Sequence, residues 1–274
     1  MYKLIALDMD GTLLNGENKI SSANFNAIQK ARENGVKVVL ASGRPLLGFK
    51  RYLEELNLIS ENEYAVAFNG ALVQSSEGTE IISKTTLTIE DYKYLYKLSK
   101  ELEVDIDAIT ESKVISPKDN EYTRRESKLN HIPIEIIPVE DVDTSTTIVK
   151  VMFIGEPELI AEIIKNMPDE VSSKYSIVRS APFYLEFLDK SVNKGVGIAA
   201  LAEKLNIKQE EVICIGDAGN DIHMIKYAGL GVAMGNAFPE VKKIANFITK
   251  TNEQDGVAYI INKFILQPQE EFAV

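Results

Sequence analysis

Asp8-Met9-Asp10-Gly11-Thr12 follows directly on the apolar run Leu4-Ile5-Ala6-Leu7. A short apolar run bounded by Asp and Gly reads as a buried strand that ends abruptly in a loop. Two carboxylates spaced two apart at that end can point to one side, into one crevice. Two negative charges there are costly unless a cation or a reacting group compensates them. The carboxyl end of a parallel strand is also where open α/β folds keep their ligands.

Three further segments carry chemistry. Ser42-Gly43-Arg44 offers a hydroxyl, an unobstructed amide and a cation. Asn193-Lys194-Gly195 stands at the start of a helix, and Gly216-Asp217-Ala218-Gly219-Asn220-Asp221 sets two acids and an Asn beside glycines. Hydroxyl, lysine and loop amides are what a phosphoryl group requires of a protein. Carboxylates clustered among them suit magnesium, which retains waters and takes few protein ligands. Singly, each piece has an ordinary reading. The first is a turn and helix cap, the second a surface turn, Lys194 a solvated lysine, and the last a capping sequence. Their order at successive strand ends points instead to one magnesium–phosphate site.

The elements that must position these loops alternate in type. Strands are expected at Leu4 to Leu7, Val36 to Ala41 and Tyr64 to Phe68, and again at Val212 to Ile215, Leu230 to Met234 and Asn246 to Thr249. Helices fit at Ser21 to Asn34, from Pro45 to Leu56, and around Gly195 to Leu205, Asp221 to Tyr227 and Pro239 to Ala245. This alternation implies βαβ units and a parallel sheet. Between about Lys84 and Asp189 the strands are shorter, more polar and closely spaced, with two clear helices, Ile89 to Leu102 and Glu158 to Asn166. That texture fits an antiparallel insert. The expected organisation is α/β: a Rossmann-like parallel-sheet core from residues 1–83 and 189–274, with an α/β domain inserted at 84–188. The tyrosines from Tyr92 to Tyr96 sit at helical spacing and read as packing residues.

Bulk properties exclude several classes. A net charge of −11, from 41 acids against 30 Lys and Arg, disfavours nucleic acid and anionic membrane as partners. The single cysteine, Cys214, suits a reducing compartment, and its place in an apolar strand reads as core. Asp8 comes too early for a signal peptide, and no apolar run reaches spanning length. A soluble cytoplasmic protein is expected. Gly195-Val196-Gly197 lacks a third glycine and follows no strand, so it is no dinucleotide fingerprint. His131 and His223 form no metal pair, and oxygen ligands favour magnesium over zinc.

These residues resemble the haloacid-dehalogenase-like superfamily. Asp8-Met9-Asp10-Gly11-Thr12, Ser42, Lys194 and Gly216-Asp217-x-x-Asn220-Asp221 match its four motifs in order. Within it the chain is similar to Cof-like sugar phosphatases with a type IIB cap. Asn69-Gly70, Gly231-Val232-Ala233-Met234-Gly235-Asn236-Ala237 and Asp255-Gly256-Val257-Ala258 carry that closer likeness.

The resemblance implies a phosphatase of small phosphorylated metabolites, sugar phosphates foremost, working through an aspartyl-phosphate. Asp8 would be the nucleophile and Asp10 the general acid and base. Mg2+ would lie among Asp8, the Asp10 carbonyl and Asp217. Ser42, Gly43 and Lys194 would grip the phosphoryl oxygens with the Met9 amide, while Asn220 adds a polar contact. Asp221 would either orient Lys194 or complete the metal shell. The insert would act as a cap that reads the leaving group, with Arg44 and Arg179 as candidate contacts. Arg44 also stands among the candidate phosphate-binding residues. A phosphomutase or phosphotransferase using the same intermediate is the alternative, and a non-catalytic phosphate-metabolite sensor a more distant one. A monomer or weak homodimer is expected.

Overall fold

In the computed structural model, which describes residues 1–267, Leu4–Leu7 form β1 with every side chain buried. Burial on both faces is what an uninterrupted apolar strand requires, and it sets β1 inside a parallel sheet. β2 (Lys37–Ala41) pairs parallel with it, Leu4 beside Lys37 and Leu7 beside Leu40. β3 (Tyr64–Ala67) continues the parallel run, and β4 (Leu72–Ser75) turns back antiparallel against it, followed by β5 (Ile81–Lys84). Helix α1 (Ser22–Glu33) joins β1 to β2, and α2 (Leu46–Glu55) joins β2 to β3. The Ser21 hydroxyl caps α1 by accepting from the Asn24 N–H at 3.1 Å.

Two units partition the chain. Met1–Ser42, Lys50–Ser83 and residues 193–267 form the first, while Gly43–Phe49 and Lys84–Val192 form the second. The second unit extends beyond residue 188, because its last strand continues through Asp189 and the Val192 N–H bonds back to the Asp189 carbonyl.

The second unit begins with α3 (Ile89–Glu101), capped by a reciprocal pair of bonds between Thr88 and Asp91. Then come β6 (Asp105–Ile109), β7 (Val114–Ser116), α4 (Glu121–Asn130), β8 (Ile134–Ile136), β9 (Lys150–Ile154), α5 (Pro157–Lys165), α6 (Asp169–Lys174), β10 (Tyr175–Ala181) and β11 (Tyr184–Asp189). Its sheet runs β10-β11-β9-β6-β7-β8, antiparallel except for the parallel pair β7–β8. Alternation along the strands gives it an apolar face, where Ile106, Val151, Phe153, Leu185 and Phe187 pack with Tyr92, Leu95, Ile160 and Ile163. Tyr92 is core, as its spacing suggests.

Helix α4 has no counterpart among the expected elements. Its buried positions are Thr123, Glu126 and Asn130, all polar, so apolar periodicity gives no signal for it. These side chains meet polar residues of the sheet. Thr123 donates to Asp107 at 3.1 Å, and the buried Lys150 ammonium bridges Glu186 at 2.6 Å and Glu126 at 3.4 Å.

The first unit resumes with α7 (Lys194–Lys204), β12 (Val212–Gly216), α8 (Ile222–Tyr227), β13 (Leu230–Ala233), α9 (Pro239–Ile244), β14 (Phe247–Ile248) and α10 (Gly256–Ile261). The completed sheet is ordered β14-β13-β12-β1-β2-β3-β4-β5, with β1 central and parallel to both neighbours. Leu4 and Ala6 face one side of it, in a core with Val39, Val66, Val212, Cys214 and the α7 residues Ile198 and Leu201. Burial of each Leu, Ile or Val side chain among them contributes about 1.5–3 kcal/mol. Among the described residues no helix is long and apolar enough to cross a membrane.

Candidate active site

Strand alternation determines where Asp8 points. Leu4 and Ala6 face the layer of α7, so Asp8, next in that series, projects toward the same layer as it leaves the sheet. Its own N–H still follows the ladder, donating to the Ile215 carbonyl at 3.0 Å. Lys194 is the first residue of α7, whose amino end is capped by the Asn193 side chain accepting from the Val196 N–H. The fully buried Lys194 ammonium donates to Asp8 Oδ1 at 2.5 Å and to Asp221 Oδ1 at 2.7 Å. A lysine that would ordinarily be solvated is therefore the cationic centre of a carboxylate cluster.

The first loop folds tightly over Asp217. Thr12 and Leu14 N–H groups both donate to the Met9 carbonyl, and Thr12 Oγ1 donates to Asp217 Oδ1 at 2.8 Å. Gly11 has φ +82°, and a Cβ there would lie 2.5 Å from Asp217 Oδ2. Both the conformation and the close approach demand glycine. Met9 is buried, whereas Asp10 is exposed.

Asp8, Asp217 and Asp221 can each present a carboxylate oxygen within 4.8 Å of the others. Three carboxylates face one ammonium, so two negative charges are unbalanced in a largely buried setting. Burial, followed by the Asp221 charge, pushes the Asp8 carboxyl well above the usual range, against the pull of Lys194 and with Asp217 adding to the lift. Asp217 is raised as well, by burial first, although the Thr12 hydroxyl opposes it. Burial works against the Lys194 charge, but Asp221 and Asp8 outweigh it and raise its pKa. An all-oxygen donor set with surplus negative charge fits a hard divalent cation such as Mg2+.

Asp221 is already fully engaged by protein groups. Oδ1 accepts from Lys194, and Oδ2 accepts from the N–H groups of Asp217 at 2.9 Å and Ala218 at 3.0 Å. Of the two roles the sequence leaves open, this geometry favours orienting Lys194. Asn220 donates from Nδ2 to Asn69 Oδ1 at 3.0 Å. Ser42 is buried after β2, with its N–H on the Val66 carbonyl and its own carbonyl accepting from the Asn69 N–H.

Gly43 and Arg44 group with the second unit, where the Arg44 charge helps hold down a Glu126 carboxyl that burial raises. Arg179 donates to the carbonyls of Pro157 and Pro182, bracing the turn between β10 and β11. Lys194 and Asp221, by contrast, meet across 27 residues of sequence.

Several supporting residues carry no chemistry of their own and escape a search for reactive types. Asn236 donates to the Gly11 carbonyl at 2.8 Å, Asn252 to the Leu14 carbonyl at 2.9 Å, and Ser21 to Asp255. The carboxyl-terminal segment thereby pins the first loop. The one available signal is the Gly-Asn and Asp-Gly turn chemistry at residues 235–236 and 255–256.

Comparison with known proteins places this site in context. The haloacid dehalogenase-like hydrolase family matches residues 5–261. A Bacillus subtilis protein described as the putative phosphatase YxeH is 45% identical over 268 residues, covering 97% of this chain and 99% of its own. The B. subtilis 5-amino-6-(5-phospho-D-ribitylamino)uracil phosphatase YcsE is 35% identical over 265 residues, 96% of each chain. Among solved structures, the HAD subclass IIB sugar phosphatase BT4131 superposes with a TM-score of 0.77 at 27% identity, covering 96% of this chain and 98% of that one.

Proposed function

The chain belongs to the haloacid dehalogenase-like hydrolases, and from that premise we propose that it is a magnesium-dependent phosphatase of small phosphorylated metabolites, sugar or polyol phosphates foremost. The observation that carries the mechanism is the buried Lys194 ammonium, which holds Asp8 Oδ1 and is itself held by Asp221.

Asp8 is the nucleophile. One of its oxygens forms a bond to phosphorus as the ester O–P bond breaks, and the departing alkoxide takes a proton from Asp10. Asp10 then removes a proton from water as that water attacks phosphorus, and the Asp8 O–P bond breaks to release inorganic phosphate. Splitting one displacement into two lowers each barrier, and a positioned acid and base contributes about 10²–10⁴-fold. Lys194 fixes the Asp8 carboxylate and offsets phosphoryl charge. Ser42 and Asn220 hold phosphoryl oxygens, with the Met9 amide beside them. Asp8, Asp217 and the Asp10 carbonyl would hold Mg2+, which when bound offsets carboxylate charge and polarises the phosphoryl group.

The substrate class rests on the relatives. One is described as acting on a phosphorylated ribityl compound and another as a sugar phosphatase, and both descriptions share a phosphorylated polyhydroxyl chain. The inserted unit is the candidate for recognising the leaving group; the acidic net charge suits action in solution, and we infer a monomer or weak homodimer in the cytoplasm. The test is turnover of p-nitrophenyl phosphate and of a panel of sugar and polyol phosphates, with and without magnesium. Loss of turnover on chelation and in Asp8→Asn, with kcat/KM highest for sugar or polyol esters, supports the proposal. Undiminished turnover in Asp8→Asn refutes it.

A further inference from the structure

The loop after β3 donates no group to the chemistry above, yet it touches residues of three loops that do. Phe68, Asn69 and Gly70 all have left-handed backbone, with φ of 50°, 55° and 97°. Asn tolerates that conformation, but a bulky residue such as Phe adopts it only where surrounding structure insists. The constraints are visible. The Asn69 N–H donates to the Ser42 carbonyl at 2.9 Å. Asn69 Oδ1 accepts from Asn220 Nδ2 at 3.0 Å. Gly70 lies so close to the Asn193 carbonyl that any Cβ would collide with it, which sets this turn directly against the residue preceding Lys194. Asn69 itself is buried.

We propose that Asn69 is a positioning residue for the phosphoryl-binding groups. Its side-chain oxygen fixes the orientation of the Asn220 amide, and its backbone fixes Ser42, so the two groups meet the phosphoryl oxygens in a set relation. By engaging one Nδ2 hydrogen, Asn69 turns the nitrogen side of Asn220 inward and leaves the second hydrogen for phosphate. Without Asn69 Oδ1 the amide is free to rotate and to present its own oxygen to an anion, which repels. The strained turn thus exchanges backbone comfort for a defined donor. This inference rests on the phosphatase reading, in which Ser42 and Asn220 contact phosphate.

Asn69→Gly keeps the left-handed backbone and removes only the side chain. It is expected to fold with a melting temperature near wild type, to lose about tenfold in kcat/KM, and to bind inorganic phosphate about tenfold more weakly by calorimetry, the size of one hydrogen bond. Asn220→Ala should lose a similar amount, and the double variant should be no worse than Asn220→Ala alone, because Asn69 acts through Asn220. Asn69→Asp retains both the left-handed tolerance and an acceptor oxygen, so in that background Asn220→Ala must still cost what it costs in wild type. Additive losses in the glycine cycle would overturn the proposal, as would an Asn220→Ala substitution that costs nothing in the Asn69→Asp background. Wild-type protein that neither hydrolyses phosphate esters nor binds phosphate would instead refute the phosphatase reading itself.

Discussion

Asp221→Asn separates an anchor for Lys194 from a ligand for metal. In the native site one oxygen accepts from the Lys194 ammonium and the other from two backbone N–H groups. Asparagine offers one oxygen and one NH2, so it can serve only one of these sets. If its oxygen keeps the backbone pair, a donor faces the buried ammonium, and Lys194 retains Asp8 as its charged partner. Losing a charge-assisted bond costs about 1.5–3 kcal/mol, and breaking a buried ion pair about 3–5 kcal/mol. Because Asp8 still pairs with Lys194, we take the lower end of the ion-pair range, about 3 kcal/mol, or roughly 5 °C in melting temperature for a chain of this size. Calorimetric unfolding and magnesium titration of the same variant are the assays. The expected result is a marked loss of stability, a fall in kcat as Asp8 loses its fixed orientation, and a magnesium Kd within a few-fold of wild type. A tenfold or greater weakening of magnesium with stability intact would refute the anchor and make Asp221 a ligand.

Other perturbations have equally definite outcomes. Gly70→Ala forces a Cβ onto the Asn193 carbonyl at a left-handed position and should cost about 2–4 kcal/mol, read as a drop in denaturant midpoint. Asp107, buried on β6, has its carboxyl pushed up to about 7, by burial first, while the Ser116 and Thr123 hydroxyls oppose the shift. The folded state therefore holds a proton that the unfolded chain releases near pH 4, so this contribution is full below about pH 4 and is lost progressively as pH rises from there through about 7. Melting temperature should fall as pH rises from 5 to 7, and Asp107→Asn should flatten that slope. Magnesium at 100 times its Kd should stabilise the protein by about 2.7 kcal/mol, and Asp217→Asn should abolish the thermal shift.

The parallel core was legible because its strands are apolar on both faces: β1, β3 and β12 consist of buried residues with scarcely an ambiguous position. The residues gathered around Lys194 were legible because their types are costly where they stand, as with carboxylates ending an apolar strand. What escaped is polar and non-local. Helix α4 buries Thr123, Glu126 and Asn130, the first two against Asp107 and Lys150, and no period of apolar residues marks a face built that way. Thr12 meets Asp217 across 205 residues and Asn220 meets Asn69 across 151. Such partners become apparent only when the sheet brings the loops together.

The claim on which the rest depends is that Asp8 carries the phosphoryl group. An Asp10→Asn variant, slowed in hydrolysing the intermediate, can be mixed with substrate and magnesium, quenched with borohydride and digested for mass spectrometry. Reduction of an acyl phosphate at position 8 converts that aspartate to homoserine. The predicted result is this conversion at Asp8, dependent on substrate and absent when Asp8→Asn is also present. Turnover that leaves Asp8 unmodified, or homoserine at another carboxylate, would contradict it.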